Sequence, residues 1–300
     1  MSEPSSSPNP VIGVVTGVWA LRAVWVAVPV VAGPAFTEAL DGRSLSVQLT
    51  AAAILWGGWF LGLIATLIPR AESLTAIRIL APAAPLAAAW AWLTDAEGVT
   101  AMMALTATVL GAALAMSPLV GDLFVNGSSY GDERRMALRP PGPLLAGPIA
   151  VAWAIVATGI VAGPLLLAAR SWVLGGVAVV VGLPAAALAA RAVHGLARRW
   201  VVFVPAGFVL HDPLTLVEPV LFPRTMVTAL GPARVDTEAT DLTQGAPGLV
   251  LQLDLAEPSR MSRLRPRRQP ELLETGSLLF TPTRPGAVLD EADRRRVVRG

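Results

Sequence analysis

The chain has 300 residues, of which 54% are hydrophobic and only 15% are charged, whereas about 25% of residues are charged in an average soluble domain. Cysteine is absent, which excludes disulfides, thiolate metal ligands and a cysteine nucleophile. All 23 basic residues are arginine and the net charge is only +2, too small a surplus to indicate nucleic-acid binding. The apolar residues lie in long runs, which is typical of a membrane protein.

The polar N-terminal segment MSEPSSSPNP carries no basic residue, whereas a secretory signal peptide needs a positively charged start. We expect residues 1–10 to be disordered and the first apolar segment to remain as an uncleaved helix. Six apolar segments are each long enough to cross a hydrocarbon core, which takes about 20 helical residues. Their predicted bounds are Val11–Ala35, Val47–Ile68, Leu74–Leu93, Val99–Val120, Leu144–Ala169 and Trp172–Ala192. The sequence therefore predicts a six-helix transmembrane domain over residues 11–194.

Arg22 lies near the middle of the first predicted span. An arginine at the centre of a membrane helix costs about 2.5–3.5 kcal/mol on insertion scales, so it needs a partner such as a backbone carbonyl freed by proline. Alternatively, the spanning part begins near Trp19 and Arg22 reaches back to the interface. The sequence leaves both interpretations open.

The arginines between and after the predicted spans are distributed unevenly. One set of connections, which includes the stretch after the sixth span, holds eight arginines, whereas the other set holds only Arg43 and Arg170. By the positive-inside rule, both termini are expected in the cytoplasm. Abundant Ala, Gly, Pro and Val without lysine is typical of a high-GC bacterial genome. We therefore expect a multi-pass protein of a bacterial cytoplasmic membrane.

The longest polar interruption among the spans is Val125–Pro143, VNGSSYGDERRMALRPPGP. We expect Asp132–Leu138 to form two turns of helix, capped by Asp132 and ended before Pro140. In one interpretation this helix docks the C-terminal domain or a partner; in the other, the loop is solvated and only sets topology. The candidate docking residues are Tyr130, Asp132, Glu133, Arg134 and Arg135.

After His194 the pattern changes to short β-rich runs between Gly, Pro and Asp residues, followed by a helix from about Gly286. The predicted fold is thus an α-helical membrane protein with a C-terminal α+β soluble domain over residues 198–300. This order resembles the pleckstrin-homology-like domains that bacteria append to membrane helices, and the resemblance implies a β-barrel closed by the terminal helix. It is carried by Trp200–Val204, Gly207–His211, the strand through Val220–Leu230 and Phe280–Pro285. The whole chain also resembles uncharacterised multi-pass membrane proteins of actinobacteria, which implies no activity.

A run of arginines, RMSRLRPRR, is expected to form a loop between strands of this domain, because it contains proline and lacks a helical stripe. Anionic lipid headgroups attract such residues by roughly 1 kcal/mol each near the membrane surface. The alternative is a solvated loop that nearby glutamates neutralise. The candidate lipid-contact residues are Arg260, Arg263, Arg265, Arg267 and Arg268.

The sequence offers little catalytic chemistry. His194 and His211 stand alone, His211-Asp212-Pro213 is interpreted as a turn, and no phosphate-binding loop or hydrolase motif occurs. The acids Asp122, Asp132 and Glu133 are expected to form a solvated, mutually paired run with nearby arginines. No catalytic, cofactor or metal residue is assigned.

The expected function is a non-catalytic scaffold or interaction platform that contacts the lipid bilayer, anionic headgroups and another membrane or cytoplasmic protein. A transporter or channel subunit is the alternative, supported by Arg22 and by the repeated phrase Val-Ala-Gly-Pro. A membrane enzyme assembled from dispersed polar residues is a third possibility.

Overall fold

The computed structural model describes residues 10–94, 96–264 and 269–297, with side chains from residue 16 onward. The predicted disorder of the N-terminus therefore concerns residues outside the described part, apart from Pro10. The chain divides into two compact units. Unit 1 comprises Met1–Leu123 with Ala154–Ala189, and unit 2 comprises Phe124–Trp153 with Ala190–Gly300.

Six of the described helices, α1, α2, α3, α4, α7 and α8, are long and apolar enough to cross a membrane. This confirms the predicted multi-pass membrane protein. The helices are α1 Pro10–Leu40, α2 Leu45–Leu67, α3 Ala71–Leu93, α4 Gly98–Met116, α5 Pro118–Asn126, α6 Gly142–Leu145, α7 Pro148–Ala168, α8 Trp172–Ala197 and α9 Pro285–Arg294. The predicted fourth span is split after Met116, because Pro118 disfavours the helical conformation of the residue before it.

In unit 1, α1 packs against α2, α3 and α4, and α3 packs against α2 and α4. The contact between α1, α3 and α4 is made by fully buried alanines: Ala32, Ala35, Ala88 and Ala104. Small residues let membrane helices approach closely, and van der Waals contact then holds them together. The indole nitrogens of Trp25 and Trp59 each donate to the other's backbone carbonyl, at 2.9 and 2.8 Å.

Helices α7 and α8 approach through glycines. A Cβ atom added at Gly159 would lie 2.5 Å from the carbonyl oxygen of Gly182, and one at Gly163 would lie 2.6 Å from the Val179 side chain. The opposite face of α8 exposes branched apolar side chains such as Val173 and Val180. That face suits contact with lipid.

Unit 2 contains two four-stranded sheets, in the orders β1-β2-β3-β4 and β5-β7-β8-β6. The strands are β1 Arg134–Ala137, β2 Trp200–Val204, β3 Gly207–His211, β4 Val220–Pro223, β5 Val227–Pro232, β6 Thr240–Asp241, β7 Leu251–Leu264 and β8 Pro270–Phe280. Neighbouring strands are antiparallel except β6 and β8. Single bridges at Leu138–Pro282 and Leu216–Arg263 also occur. The α+β prediction is confirmed, but the described strands form two sheets rather than one closed barrel.

The core of unit 2 follows the two-residue period of its strands. Val201 and Phe203 on β2 point inward, as do Phe208 and Leu210 on β3, and all are buried. They join apolar side chains of the second sheet and Val288 of α9 in one cluster. The sheets and the terminal helix therefore share a single core.

The short helix predicted for Asp132–Leu138 is wrong, because this segment forms the edge strand β1. Arg134 pairs with Phe203 and Ala137 with Trp200, antiparallel to β2. Met136 and Leu138 are buried in the core of unit 2. Burying each of these side chains is worth about 1.5–3 kcal/mol, which a short helix in solvent would not gain.

Unit 2 is consequently discontinuous in sequence. The predicted soluble domain begins at residue 198, but the compact unit also contains Phe124–Trp153. Backbone hydrogen bonds continue the pairing beyond β1, from Leu138 N–H to Arg199 at 3.0 Å and from Arg139 N–H to Thr281 at 2.8 Å.

Candidate functional site

A buried ion pair lies where β2 begins and β3 ends. The Nε and one terminal nitrogen of Arg199 donate to the two carboxylate oxygens of Asp212, each at 2.7 Å. Only 2% of the Arg199 surface and 3% of the Asp212 surface is exposed. The other terminal nitrogen of Arg199 donates to the carbonyl of Arg139 at 2.6 Å. One guanidinium thus joins the segment after β1 to the strands β2 and β3.

The carboxylate of Asp212 has further partners. The Thr215 hydroxyl donates to it at 2.7 Å, the Leu214 N–H donates at 3.1 Å, and Gln244 donates in turn to the Thr215 hydroxyl at 2.9 Å. Both carboxylate oxygens are therefore engaged. A network that is buried and satisfied in this way fixes structure and leaves the carboxylate no free position for acid or base chemistry.

Sequence reasoning missed this network. The turn predicted at His211-Asp212-Pro213 is present, since the Thr215 N–H donates to the Asp212 carbonyl at 3.0 Å. An Arg at the start of one predicted strand and an Asp at the end of the next are a sequence signal that could have indicated this ion pair. Adjacent antiparallel strands bring these two ends together.

The predicted docking residues lie in or just before β1. Tyr130 is 87% exposed, and the backbone carbonyl of Asp132 accepts a hydrogen bond from Arg295. Glu133 pairs with Arg135 at 3.0 Å. Arg134 and Arg135 are partly buried members of the strand rather than of a helix.

The outer face of the first sheet carries an aromatic pair beside this strand. The Trp200 and His211 rings stack with centroids 4.6 Å apart, and the Arg135 guanidinium lies 5.7 Å from the Trp200 ring centroid. Burial lowers the pKa of His211, and the positive charges of Arg198 and Arg135 lower it further, while Asp212 acts in the opposite direction. His211 is therefore favoured in its neutral form.

Arg22 bonds to the end of helix α2. Its Nε and a terminal nitrogen donate to the carbonyl of Thr66 at 3.1 and 2.9 Å, and its guanidinium lies 4.9 Å from the Trp19 ring centroid. Thr66 stands in the last turn of α2, where carbonyls lack partners within the helix. The contact places Arg22 beside the C-terminal end of α2.

A second charged contact in unit 1 involves Arg78 of α3 and Asp122 of α5. Asp122 is 1% exposed and exerts an attractive charge interaction on Arg78. The approach needs Gly121, where a Cβ atom would lie 2.7 Å from an Arg78 terminal nitrogen. The expectation that Asp122 belongs to a solvated charge run is wrong, because α5 brings it into the packed part of unit 1.

The described part of the arginine run is a strand and not the predicted loop. Arg260 and Arg263 belong to β7, and Arg265, Arg267 and Arg268 lie outside the described residues. The Arg260 side chain is 81% exposed and lies 3.3 Å from Glu274 on the paired strand. Across the same hairpin, Leu272 is 83% exposed.

Within the described ranges, no group of three or more His, Cys, Asp or Glu residues could hold a metal ion. No protein-family model, curated protein or solved structure matches the chain.

Proposed function

We propose that the protein is a scaffold of a bacterial cytoplasmic membrane whose unit 2 acts as a cytoplasmic, pleckstrin-homology-like interaction platform. The observation that carries this proposal is the pairing of β1 with β2. One strand lies in the chain between the spanning helices α4 and α7, and the other directly follows α8. The platform is thus built from two segments, each of which is continuous with membrane helices.

The Arg199–Asp212 pair supports a structural purpose for this arrangement. Its guanidinium also holds the carbonyl of Arg139, so the segment after β1 is fixed by a charged group as well as by strand pairing. A domain on a single flexible tether would need neither feature. A domain that presents surfaces in a fixed orientation to a partner benefits from both, because less conformational freedom is lost on binding.

The pleckstrin-homology-like interpretation rests on the order of elements in unit 2. Two sheets, antiparallel except for the β6–β8 pair, share one core with a terminal helix, although the described strands do not form the closed barrel that the resemblance implies.

The β7–β8 hairpin is the proposed contact with anionic lipid. Arg260 and Leu272 are its exposed basic and apolar side chains. Each arginine near an anionic leaflet adds roughly 1 kcal/mol of attraction. Together these side chains suit the boundary between headgroups and acyl chains.

A transporter is the second candidate, favoured by the buried Asp122 beside Arg78 in unit 1. Ionisable residues among membrane helices often mark a transport path. A transporter must admit water between its helices, whereas a scaffold holds them by dry contact.

Cysteine labelling separates these functions, since the chain contains no cysteine. Single cysteines are placed at Ala88 and Ala104, which are fully buried between α1, α3 and α4, and a membrane-impermeant thiol reagent is applied from each side. A scaffold leaves both positions unlabelled, while the exposed control Tyr130→Cys reacts promptly. Labelling of Ala88→Cys or Ala104→Cys in the folded protein would favour the transporter.

A further inference from the structure

Four arginines of unit 2 line one cavity of about 430 Å³ at the C-terminal end of α9. They are Arg224, Arg294, Arg295 and Arg296. Phe203, Phe208 and Val227 form an apolar part of the wall. A volume of this size is typical of small-molecule sites, which span about 300–1,000 Å³.

The positive charge of the cavity is only partly balanced. Glu291 pairs with Arg294 and with Arg295, the latter at 2.5 Å, and no Asp or Glu is among the described residues that line the cavity. Arg296 is exposed, and its hydrogen bonds within the described part of the chain involve only its backbone, with its N–H donating to Asp293 at 2.9 Å and its carbonyl accepting from Arg224 at 3.4 Å. Among the described residues, Glu291 thus pairs with two of the four guanidinium groups, and a bound anion would relieve the repulsion that remains.

Arg224 has a structural task as well. One of its terminal nitrogens donates to the carbonyl of Arg295 at 2.5 Å. This bond satisfies a carbonyl that has no partner within the helix at the end of α9. The remaining donors of Arg224 stay available to the cavity, because a guanidinium carries five N–H groups.

Guanidinium groups recognise tetrahedral phosphate oxygens through paired, charge-assisted hydrogen bonds. The cavity is larger than a free phosphate needs, and its aromatic and aliphatic wall suits an attached organic part. We infer that it binds a phosphate group carried by a small organic molecule, either an anionic phospholipid headgroup or a soluble phosphate ester. This site uses residues separate from the β7–β8 hairpin, so it goes beyond the lipid contact proposed above.

The first arm of the test uses the full chain in a non-ionic detergent with glycerol 3-phosphate as the probe, at constant ionic strength. Calorimetry should show saturable binding, and R296Q should weaken it about tenfold by removing charged hydrogen bonds. R296Q should keep the fold, because the hydrogen bonds of Arg296 to described residues are made by its backbone, which the substitution leaves in place. R234Q is the matched control, since Arg234 is also exposed and is not among the residues that line the cavity.

The second arm uses the full chain in nanodiscs of neutral phosphatidylcholine, with or without phosphatidylglycerol. A cysteine replacing Val204, which lines the cavity, reports occupancy through its labelling rate. If the source is a lipid headgroup, phosphatidylglycerol should slow labelling about fivefold, and R296Q should abolish the protection. Binding in either arm that R296Q weakens and R234Q leaves intact supports the site. The arm in which binding occurs shows whether the phosphate group belongs to a soluble ester or to a lipid headgroup. Absence of binding in both arms, or equal effects of the two variants, would overturn it.

Discussion

At the scale of single residues, the buried Arg199–Asp212 pair carries the clearest energetic consequence. Water cannot solvate either group, so each depends on the other and on the neutral donors and acceptors around them. Removing one partner of such a pair leaves an uncompensated buried charge, which costs about 3–5 kcal/mol. An exposed pair in high dielectric contributes only about 0–1 kcal/mol.

Asp212→Asn should therefore destabilise unit 2 by about 3–5 kcal/mol while barely changing side-chain volume. Thermal unfolding of the full chain in detergent, followed by proteolysis of unit 2, measures the effect. Glu274→Gln is the control, because it removes only the exposed Arg260–Glu274 pair. Equal unfolding temperatures for the two variants would show that the buried pair does not hold the unit together.

His211 predicts a pH dependence of stability. Burial and the charge of Arg198 lower its pKa in the folded protein, so the unfolded chain binds the proton more readily. The stabilisation is complete above the unfolded pKa of about 6.5 and is lost as the pH falls below it. The unfolding temperature of unit 2 should drop between pH 7.5 and 5.5 less steeply in His211→Phe, which keeps a ring against Trp200. The same pH slope in both proteins would exclude His211 as the cause.

At the scale of elements, the register of β1 against β2 is the feature on which the proposed platform depends. Arg135 and Val202 are direct partners across the two strands. Their Cβ atoms should therefore lie within the distance that a disulfide requires.

The double variant Arg135→Cys/Val202→Cys should form a disulfide on mild oxidation, detected as a linked peptide by mass spectrometry. The control Arg135→Cys/Val204→Cys shifts the pair by two residues on the same face, to a diagonal separation of about 7–8 Å. It should link poorly. If the shifted pair links as well as the direct one, β1 does not have this register.

This strand also marks the limit of prediction from the sequence. Six spans were predictable because each apolar run is long, and the strands after Trp200 were predictable because Val201, Phe203, Phe208 and Leu210 alternate with outward residues. At the end of β1 and just after it, only Met136 and Leu138 alternate, which is too short a pattern to outweigh a helix cap at Asp132. Met136 pairs with Val201, more than sixty positions away. The residues around Met136 do not indicate such a distant pairing.

The charged contacts were also only partly predictable, because the partner of each charged residue depends on how the helices pack. Arg22 stood out because an arginine within an apolar run needs a partner. That its partner is the carbonyl of Thr66 depends on how α1 packs against α2. Asp122 looked solvated because it stands close to other charges in the sequence, yet the path of α5 buries it.

At the scale of the whole molecule, the discontinuous unit constrains how the chain crosses a membrane. β1 and β2 belong to one sheet, so the connection between α4 and α7 lies on the same side as the chain after α8. The two spanning helices between these strands, α7 and α8, satisfy this requirement. The uneven distribution of arginines predicts that this side is the cytoplasmic one.

Single cysteines in the cysteine-free chain test whether the two segments of unit 2 lie on the same side of the membrane and whether that side is the cytoplasm. Tyr130→Cys and Leu272→Cys report on exposed positions of unit 2, and Glu97→Cys reports on the connection before α4. With an impermeant reagent, the first two should react only in inverted membrane vesicles and the third only in intact cells, since eight arginines against two favour a cytoplasmic unit 2. Residues 130 and 272 on opposite sides would contradict their place in one compact unit. Both on the outer side would leave unit 2 intact and show that the arginines do not set the orientation.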